Sequence, residues 1–226
     1  MVFIFRIGTS LLLISLCFPL FAQREFYVGA LTGISTLSGD AQSSINSTSA
    51  SASSYKPENG AILNVFGGVH LNDYLSLQAN YTGNRNDLTL TAIQSSGVAY
   101  EQKRESSQHS FAGDLALYFR NRRSWVRPYL SAGVGATRFK STSLEPARKL
   151  GALDLPPHEF SSTPVAFRTA VGIDVAMTRG WAFRYSFMEE MQHNPISEQL
   201  NPPGQRRLAS FQNLFGFIKT FRQTPR

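Results

Sequence analysis

The sequence predicts an all-β fold, an eight-stranded antiparallel up-and-down transmembrane β-barrel with short periplasmic turns and long extracellular loops. Three observations predict this fold. Apolar and polar residues alternate along eight segments, short and long connections alternate between those segments, and the chain begins with an export signal. A period of two is the pattern of a strand whose two faces meet different surroundings. Strands of about 9–11 residues are long enough to cross a bilayer when they are tilted.

The N-terminus predicts an exported protein. Arg6 supplies a positive charge, the apolar run "IGTSLLLISLCFPLF" follows it, and we expect cleavage after Ala22. Residues 1–22 are therefore the predicted signal peptide, and residues 23–226 are the predicted barrel domain. The only cysteine, Cys17, lies in the signal, so the mature chain is expected to form no disulfide. No later segment is apolar over the roughly 20 residues that a membrane-spanning helix needs.

Eight alternating segments follow the signal and are the predicted strands. They are residues 25–36, 61–71, 74–83, 110–120, 125–140, 164–177, 181–191 and 208–221. Most of them have the length that a tilted strand needs to cross a bilayer. Helical periodicity is weak throughout the chain, so the segments are expected to pair with each other in one sheet.

The connections between the predicted strands are of two alternating kinds. Three are tight polar turns, at residues 72–73, 121–124 and 178–180. Four are long linkers, at residues 38–60, 84–109, 141–163 and 192–207. The first linker is so rich in Ser, Asn, Ala and Gly that we expect it to pack no core. Short turns on one side and long loops on the other are typical of outer-membrane barrels, in which the termini lie on the short-turn, periplasmic side.

The two faces of the predicted strands differ in size and charge. One face of residues 165–175 carries Val165, Phe167, Val171, Ile173 and Val175, and the other carries Ala166, Arg168, Ala170, Gly172 and Asp174. Small residues fit the narrow interior of an eight-stranded barrel, and charges of both signs can pair there. The polar residues predicted to line the interior are Asn64, Gln78, Asn80, Asp114, Arg168, Asp174, Arg184 and Glu190.

Four aromatic residues predict where the barrel leaves the membrane. Tyr74, Trp125 and Trp181 lie close to the three short turns, and Phe221 ends the last strand. Aromatic rings favour the membrane–water interface, so these residues are the predicted girdle on the periplasmic side. Trp125 shares strand parity with Tyr129 of the interior face, so its place in the girdle requires a bulge at the start of its strand.

By these patterns the sequence resembles a known family. The stretches "RPYLSAGVGATRF" (127–139) and "VGIDVAMTRGWAFRYSF" (171–187), with a Phe-rich last strand, are similar to the small outer-membrane β-barrels typified by the transmembrane domain of outer membrane protein A and by opacity-type proteins. The resemblance implies a place in the outer membrane of a Gram-negative-type bacterium. It also implies contact with outer-membrane lipid and lipopolysaccharide, and insertion by the outer-membrane assembly machinery.

The remaining motifs favour no catalytic, metal or nucleic-acid site. The net charge is +7, but the basic residues are scattered instead of clustered as nucleic-acid binding requires. Some barrels of this fold are lipid A deacylases, which use a serine with a nearby histidine and a carboxylate. His193, Ser197 and Glu198 do not match the deacylase spacing, in which the histidine and serine are two residues apart, and the adjacent His109 and Ser110 fall on opposite faces of a strand. No loop has the ligand spacing of a calcium site, and no cofactor is expected.

The sequence thus favours a structural or surface-interaction role, because an eight-stranded barrel is too narrow for an open pore. Two alternatives stay open. One is a lipid A-modifying, deacylase-like enzyme of the same fold. The other is a secreted soluble barrel that binds an apolar ligand, in which the large apolar face is the core and Arg168, Asp174 and Arg184 face water.

Overall fold

Eight long antiparallel strands form a closed ring. The computed structural model describes residues 25–38, 43–46, 51–94, 97–144, 148–149, 155–200, 203 and 206–221, so the predicted signal peptide lies outside the described residues. The strands of the ring are β1 (Phe26–Leu37), β2 (Gly60–His70), β3 (Leu75–Gln94), β4 (Gly97–Tyr118), β5 (Val126–Ser143), β6 (Val165–Ala176), β7 (Trp181–His193) and β8 (Arg207–Phe221).

Each strand pairs with the next one along the chain, and the last strand pairs with the first. The closing register between β1 and β8 aligns Phe26 with Phe221 and Leu37 with Ser210. A closed ring leaves no unpaired strand edge, which is what a sheet in hydrocarbon requires. The predicted eight-stranded up-and-down barrel is therefore confirmed. No helix in the described ranges has the length and apolarity that crossing a membrane demands.

The three short connections lie at one end of the barrel, which we call the turn end. They comprise residues 71–74, 119–125 and 177–180, and this end also holds Phe26 and Phe221. In the first turn, Asn72 Oδ1 accepts hydrogen bonds from the backbone N–H groups of Tyr74 and Leu75, each at 2.8 Å. In the third turn, Arg179 and Gly180 have φ values of 59° and 76°, a left-handed conformation that lets the chain reverse tightly.

The opposite end of the barrel, which we call the loop end, carries the longer connections. Four short strands belong to these connections: Ser43–Asn46, Ser51–Pro57, Arg148–Lys149 and Glu159–Ser162. The second of them pairs with the outer part of β3, and the last pairs with β5. One single-turn 3₁₀ segment, Ser197–Gln199, lies between β7 and β8 at this end.

In the half of the barrel nearer the turn end, large apolar side chains point outward. We call this surface the apolar belt, and each strand contributes to it: Val28, Leu63, Leu77, Leu115, Leu130, Val171, Phe187 and Phe217. Their neighbours along each strand point inward and are small or polar. A soluble barrel would require the opposite arrangement, with these large apolar residues in its core.

The alternation keeps its parity toward the loop end, but the chemistry of the two faces is exchanged. Leu88, Leu90 and Ala92 of β3 are buried inside, although they share the inward face with Gln78 and Asn80. The outward face of the same stretch carries polar residues such as Asp87. The exchange indicates that the surroundings of the sheet change from lipid to water near residue 85, because polar side chains face water at low cost.

Two expectations for the linkers are therefore wrong. Residues 84–109, predicted as a long loop, mostly extend β3 to 20 residues and β4 to 22 residues. Residues 38–60, predicted to pack no core, contribute the fully buried Tyr55. In both cases the polar composition led to the prediction of a loop, because a strand outside the bilayer carries the same polar outward residues as a loop.

A cluster of buried apolar residues fills the interior at the loop end, and we call it the loop-end core. Its members are Leu37, Tyr55, Leu88, Leu90, Ala92, Ala99, Tyr100, Phe139, Ile196, Leu200 and Leu208. Ile196 comes from residues 194–200, a segment that folds into the mouth of the barrel. Asn194 holds this segment, since its Oδ1 accepts the backbone N–H of Ile196 at 3.0 Å and its Nδ2 donates to the Tyr55 hydroxyl at 3.1 Å.

Candidate functional site in the barrel interior

The eight polar residues singled out by the sequence all lie inside the barrel. None of Asn64, Gln78, Asn80, Asp114, Arg168, Asp174, Arg184 and Glu190 is more than 8% exposed. They come from five strands of the ring, and the closed topology brings them together across the lumen. The structure arranges them around two arginines, one nearer the turn end and one nearer the middle of the barrel.

Arg184 on β7 is the centre of the first group. Its Nε and Nη2 donate to the two carboxylate oxygens of Asp174, at 2.6 and 2.8 Å, in a bidentate pair. Nη2 also donates to the Tyr118 hydroxyl at 2.7 Å, and Nη1 donates to Gln78 Oε1 at 3.0 Å. The guanidinium lies 4.5 Å from the ring centroid of Tyr129. These contacts satisfy the charge and the donors of an arginine that is 2% exposed.

Arg168 on β6 is the centre of the second group, and its ion pairs are longer. Its Nη2 lies 3.9 Å from Asp114 Oδ2, and its Nε lies 3.7 Å from Glu190 Oε2. The two carboxylates are held by other donors. Asn80 Nδ2 donates to Asp114 at 2.8 Å, and the Thr137 hydroxyl donates to Glu190 at 2.6 Å. Arg168 therefore balances two carboxylates without a close bidentate pair.

Gln78 connects the two arginine groups, and Asn64, the last of the eight predicted residues, lies beside them. Gln78 Nε2 donates to Asn80 Oδ1 at 2.6 Å, which links the two arginine groups. Asn64 donates to the Thr82 hydroxyl at 2.8 Å, across the pairing of β2 with β3. The polar groups thus form a nearly continuous set of contacts through the middle of the barrel.

Glycine provides the space for this network at two positions. A Cβ atom on Gly133 would collide with the carboxylate of Asp114, and one on Gly172 would collide with the ring of Tyr129. Gly133 belongs to the stretch "RPYLSAGVGATRF", and a glycine within a strand is typical of a place where a neighbouring group approaches closely. These glycines let larger polar and aromatic side chains cross a narrow lumen.

One buried polar pair escaped the sequence analysis. His70 Nδ1 lies 2.5 Å from the Ser76 hydroxyl, and the imidazole is tilted against the ring of Tyr27 with centroids 4.7 Å apart. The sequence could have predicted this pair, because the tight turn at 72–73 places His70 opposite Ser76 in the hairpin. Ser76 is fully buried, so this pair offers no exposed nucleophile.

A cavity of about 580 Å³ opens at the turn end, below Arg184. Arg122 in the second turn lies beside it and makes ion pairs with Glu25 at 3.2 Å and with Asp73 at 2.8 Å. The hydrogen bond from Arg122 holds the pKa of the Asp73 carboxyl below its usual value. This cavity ends at the Arg184–Asp174 pair, so it is a vestibule and does not run through the barrel.

The residues considered for lipid A hydrolysis are not assembled into a catalytic group. His193 contacts Glu198 at 3.8 Å, but Ser197 is buried in the loop-end segment. His109 points outward to the Tyr81 hydroxyl at 2.8 Å, whereas Ser110 points inward to Glu190 at 3.1 Å. Within the described ranges, no three His, Cys, Asp or Glu residues are grouped as metal ligands.

The four aromatic residues predicted as an interfacial girdle lie at the turn end with exposed side chains. Tyr74, Trp181 and Phe221 are 47–50% exposed, and Trp125 is 70% exposed. The parity problem of Trp125 does not arise, because β5 begins one residue later, at Val126. Lys219 Nζ lies 5.3 Å from the ring centroid of Trp181, so a cation accompanies this aromatic residue.

A closed sheet with an apolar outside and a polar inside defines an integral membrane β-barrel. The family described as "Outer membrane protein beta-barrel domain" matches residues 8–196. The chain belongs to this family, and family membership indicates an outer-membrane protein. No curated protein sequence matches the chain significantly.

Solved structures show the same fold at low sequence identity. The neisserial surface protein A (NspA) aligns with a TM-score of 0.54 and 17% identity, over 87% of this chain and 97% of that chain. The outer membrane protease OmpT from Escherichia coli aligns with a TM-score of 0.53 and 12% identity, over 89% of this chain and 98% of that chain. At such identities the likeness is one of fold alone.

Proposed function

We propose that this protein is a closed outer-membrane barrel with a structural or surface-interaction role and no open pore. The observation that carries the proposal is the filling of the lumen at two levels. The Arg184 group crosses the interior near the turn end, and the loop-end core covers the other mouth. A path for solutes would have to break both the buried ion pair and the apolar packing.

The extended strands support the surface-interaction part of the proposal. β3 and β4 continue well beyond the apolar belt, with Asp87, Glu101 and Lys103 exposed on their outward face. Arg85 and Glu105 form an ion pair on the same face. The loop-end core packs against the inner face of this extended sheet. The outer face of the sheet would therefore be an ordered polar surface that molecules outside the cell can bind.

The proposal also assigns partners to the remaining surfaces. The apolar belt would contact outer-membrane lipid, with lipopolysaccharide in the outer leaflet, because large apolar side chains favour hydrocarbon. The outer-membrane assembly machinery would insert the chain, as for other barrels of this architecture. The lipid A-modifying alternative finds less support, since Ser197 is buried, and His109 and Ser110 lie on opposite faces of β4. A change in the mass of lipid A incubated with the purified protein would favour that alternative.

Conductance across planar bilayers tests the closed state. We expect the refolded mature protein to give no stable conductance steps of the size of a porin. Replacement of Arg184 by Ser should raise the small background current, because it removes the two hydrogen bonds that cross the lumen to Gln78 and Tyr118, and also the pair with Asp174 on the neighbouring strand. The matched control is Arg123→Ser in the exposed second turn. Steady open channels in the unmodified protein would contradict the proposal.

A further inference from the structure

The turn-end cavity carries more positive charge than its own carboxylates neutralise. Four arginines line it, Arg122, Arg127, Arg179 and Arg184, against the carboxylates of Glu25 and Asp174. Two of these arginines already have carboxylate partners, since Arg184 pairs with Asp174 and Arg122 pairs with both Glu25 and Asp73. Four arginines thus face three carboxylates, and Arg127 and Arg179 are the two without a carboxylate partner among the described residues.

Arg127 is the unusual member of this set. It is 9% exposed, and no carboxylate of the described residues lies within ion-pairing distance of it. Its Nη2 donates to the backbone oxygen of Asp73 at 3.0 Å, and its guanidinium lies 3.8 Å from the ring centroid of Tyr118. Its Nε is buried and has no hydrogen-bond partner. A buried charge with an unused donor is costly unless something else pairs with it.

The surroundings of Arg127 suit an anionic group that enters from the turn end. Arg179 lies in the third turn and lines the same cavity, and the cavity also touches Ser124 and Thr220, whose hydroxyl groups can donate hydrogen bonds. A guanidinium presents its donors in a planar fork that matches the oxygens of carboxylates and phosphates. The volume of about 580 Å³ is that of a small-molecule site.

We propose that the turn-end cavity is a binding site for an oxyanion, either a carboxylate or a phosphate group of a ligand, and that Arg127 is its principal contact. Arg179 adds a second positive charge to the site. The inference is independent of the proposed function, because the Arg184–Asp174 pair closes the inner end of the cavity whether or not a ligand occupies the outer part.

Titration calorimetry on the mature protein, folded in detergent, tests the site. Sodium phosphate and sodium malonate are the two probes, each added at constant ionic strength against sodium chloride. We expect saturable binding of at least one probe to the unmodified protein. Arg127→Gln should weaken that binding at least tenfold, whereas Arg123→Gln, which removes the same charge outside the cavity, should leave it unchanged.

The two probes separate the possible sources of the anion. Binding of phosphate alone would assign the site to a phosphorylated ligand, and binding of malonate alone would assign it to a carboxylate. A folded barrel runs faster than the unfolded chain on an unboiled gel. If Arg127→Gln fails this folding criterion, Arg127→Lys provides the test. Lysine keeps the positive charge but lacks the planar set of donors of the guanidinium. No saturable binding of either probe, or equal weakening by the variants at residues 123 and 127, would overturn the inference.

Discussion

Arg184 shows how a single residue makes a charged interior compatible with a folded barrel. Its partners Asp174, Gln78 and Tyr118 come from three different strands, so the guanidinium joins opposite walls of the lumen. Strand alternation in the sequence was enough to predict the face on which Arg184 lies. It was not enough to predict the partners, because they depend on the register of strands that are far apart in the chain.

Replacement of Arg184 by Met should lower the free energy of unfolding by about 3–5 kcal/mol, because the carboxylate of Asp174 would stay buried without its partner. Urea unfolding in lipid vesicles measures this loss. The double variant Asp174→Asn with Arg184→Met should lose less than the sum of the two single changes, since no charge is then left unpaired. Arg123→Met, on an exposed turn, is the matched control. An Arg184→Met barrel as stable as this control would mean that the ion pair contributes nothing.

The longest strands show why an element can be misjudged from composition. β3 keeps one inward face from Ser76 to Ala92, but that face is polar up to Asn86 and apolar from Leu88 onward. The unbroken alternation of Leu88 and Leu90 was the signal for a strand. It was hidden because the outward residues there have the composition of a loop. Only the position of the segment outside the bilayer explains why the two faces exchange their chemistry.

Replacement of Leu90 by Ala should destabilise the parts of β3 and β4 that lie beyond the apolar belt. The part of the barrel within the belt should stay folded. Leu90 is fully buried in the loop-end core, and truncation of such a residue typically costs about 2–5 kcal/mol. Trypsin added to intact cells should therefore cleave after the exposed Lys103 faster in this variant. Thr91→Ala, on the outward face of the same strand, is the control and should leave the rate unchanged. Equal rates in both variants would show that the core does not hold the hairpin.

At the scale of the whole molecule, strand alternation predicts the strands and their pairing. It does not predict contacts between residues that are distant in the sequence. Eight strands, their order, the tight turns and the closure of the ring follow from periodicity and from the sorting of connections. The segment at residues 194–200 that fills the loop-end mouth was missed, because its burial depends on Tyr55 and Leu90, which lie far away in the sequence. The turn-end cavity was missed for the same reason, since three turns and both termini of the barrel meet there.

The assignment of the two faces is a property of the whole barrel, and adjacent residues on β5 test it. Leu130 belongs to the apolar belt and is 47% exposed, whereas Tyr129 is 3% exposed inside the lumen. In a protein without its native tryptophans, Leu130→Trp should be quenched best by lipids brominated near the bilayer centre, because this residue lies about midway along the belt. Tyr129→Trp should be shielded from every brominated lipid.

Trp181 completes the same experiment at the membrane surface. Kept as the only tryptophan in an otherwise Phe-substituted chain, it should be quenched best by bromines close to the headgroups, because it lies at the turn end beside Lys219. The depth difference between Trp181 and the tryptophan at residue 130 measures how far the barrel extends into hydrocarbon. Equal quenching at residues 129 and 130 would contradict the inward and outward faces. The same depth for residues 130 and 181 would contradict the position of the belt.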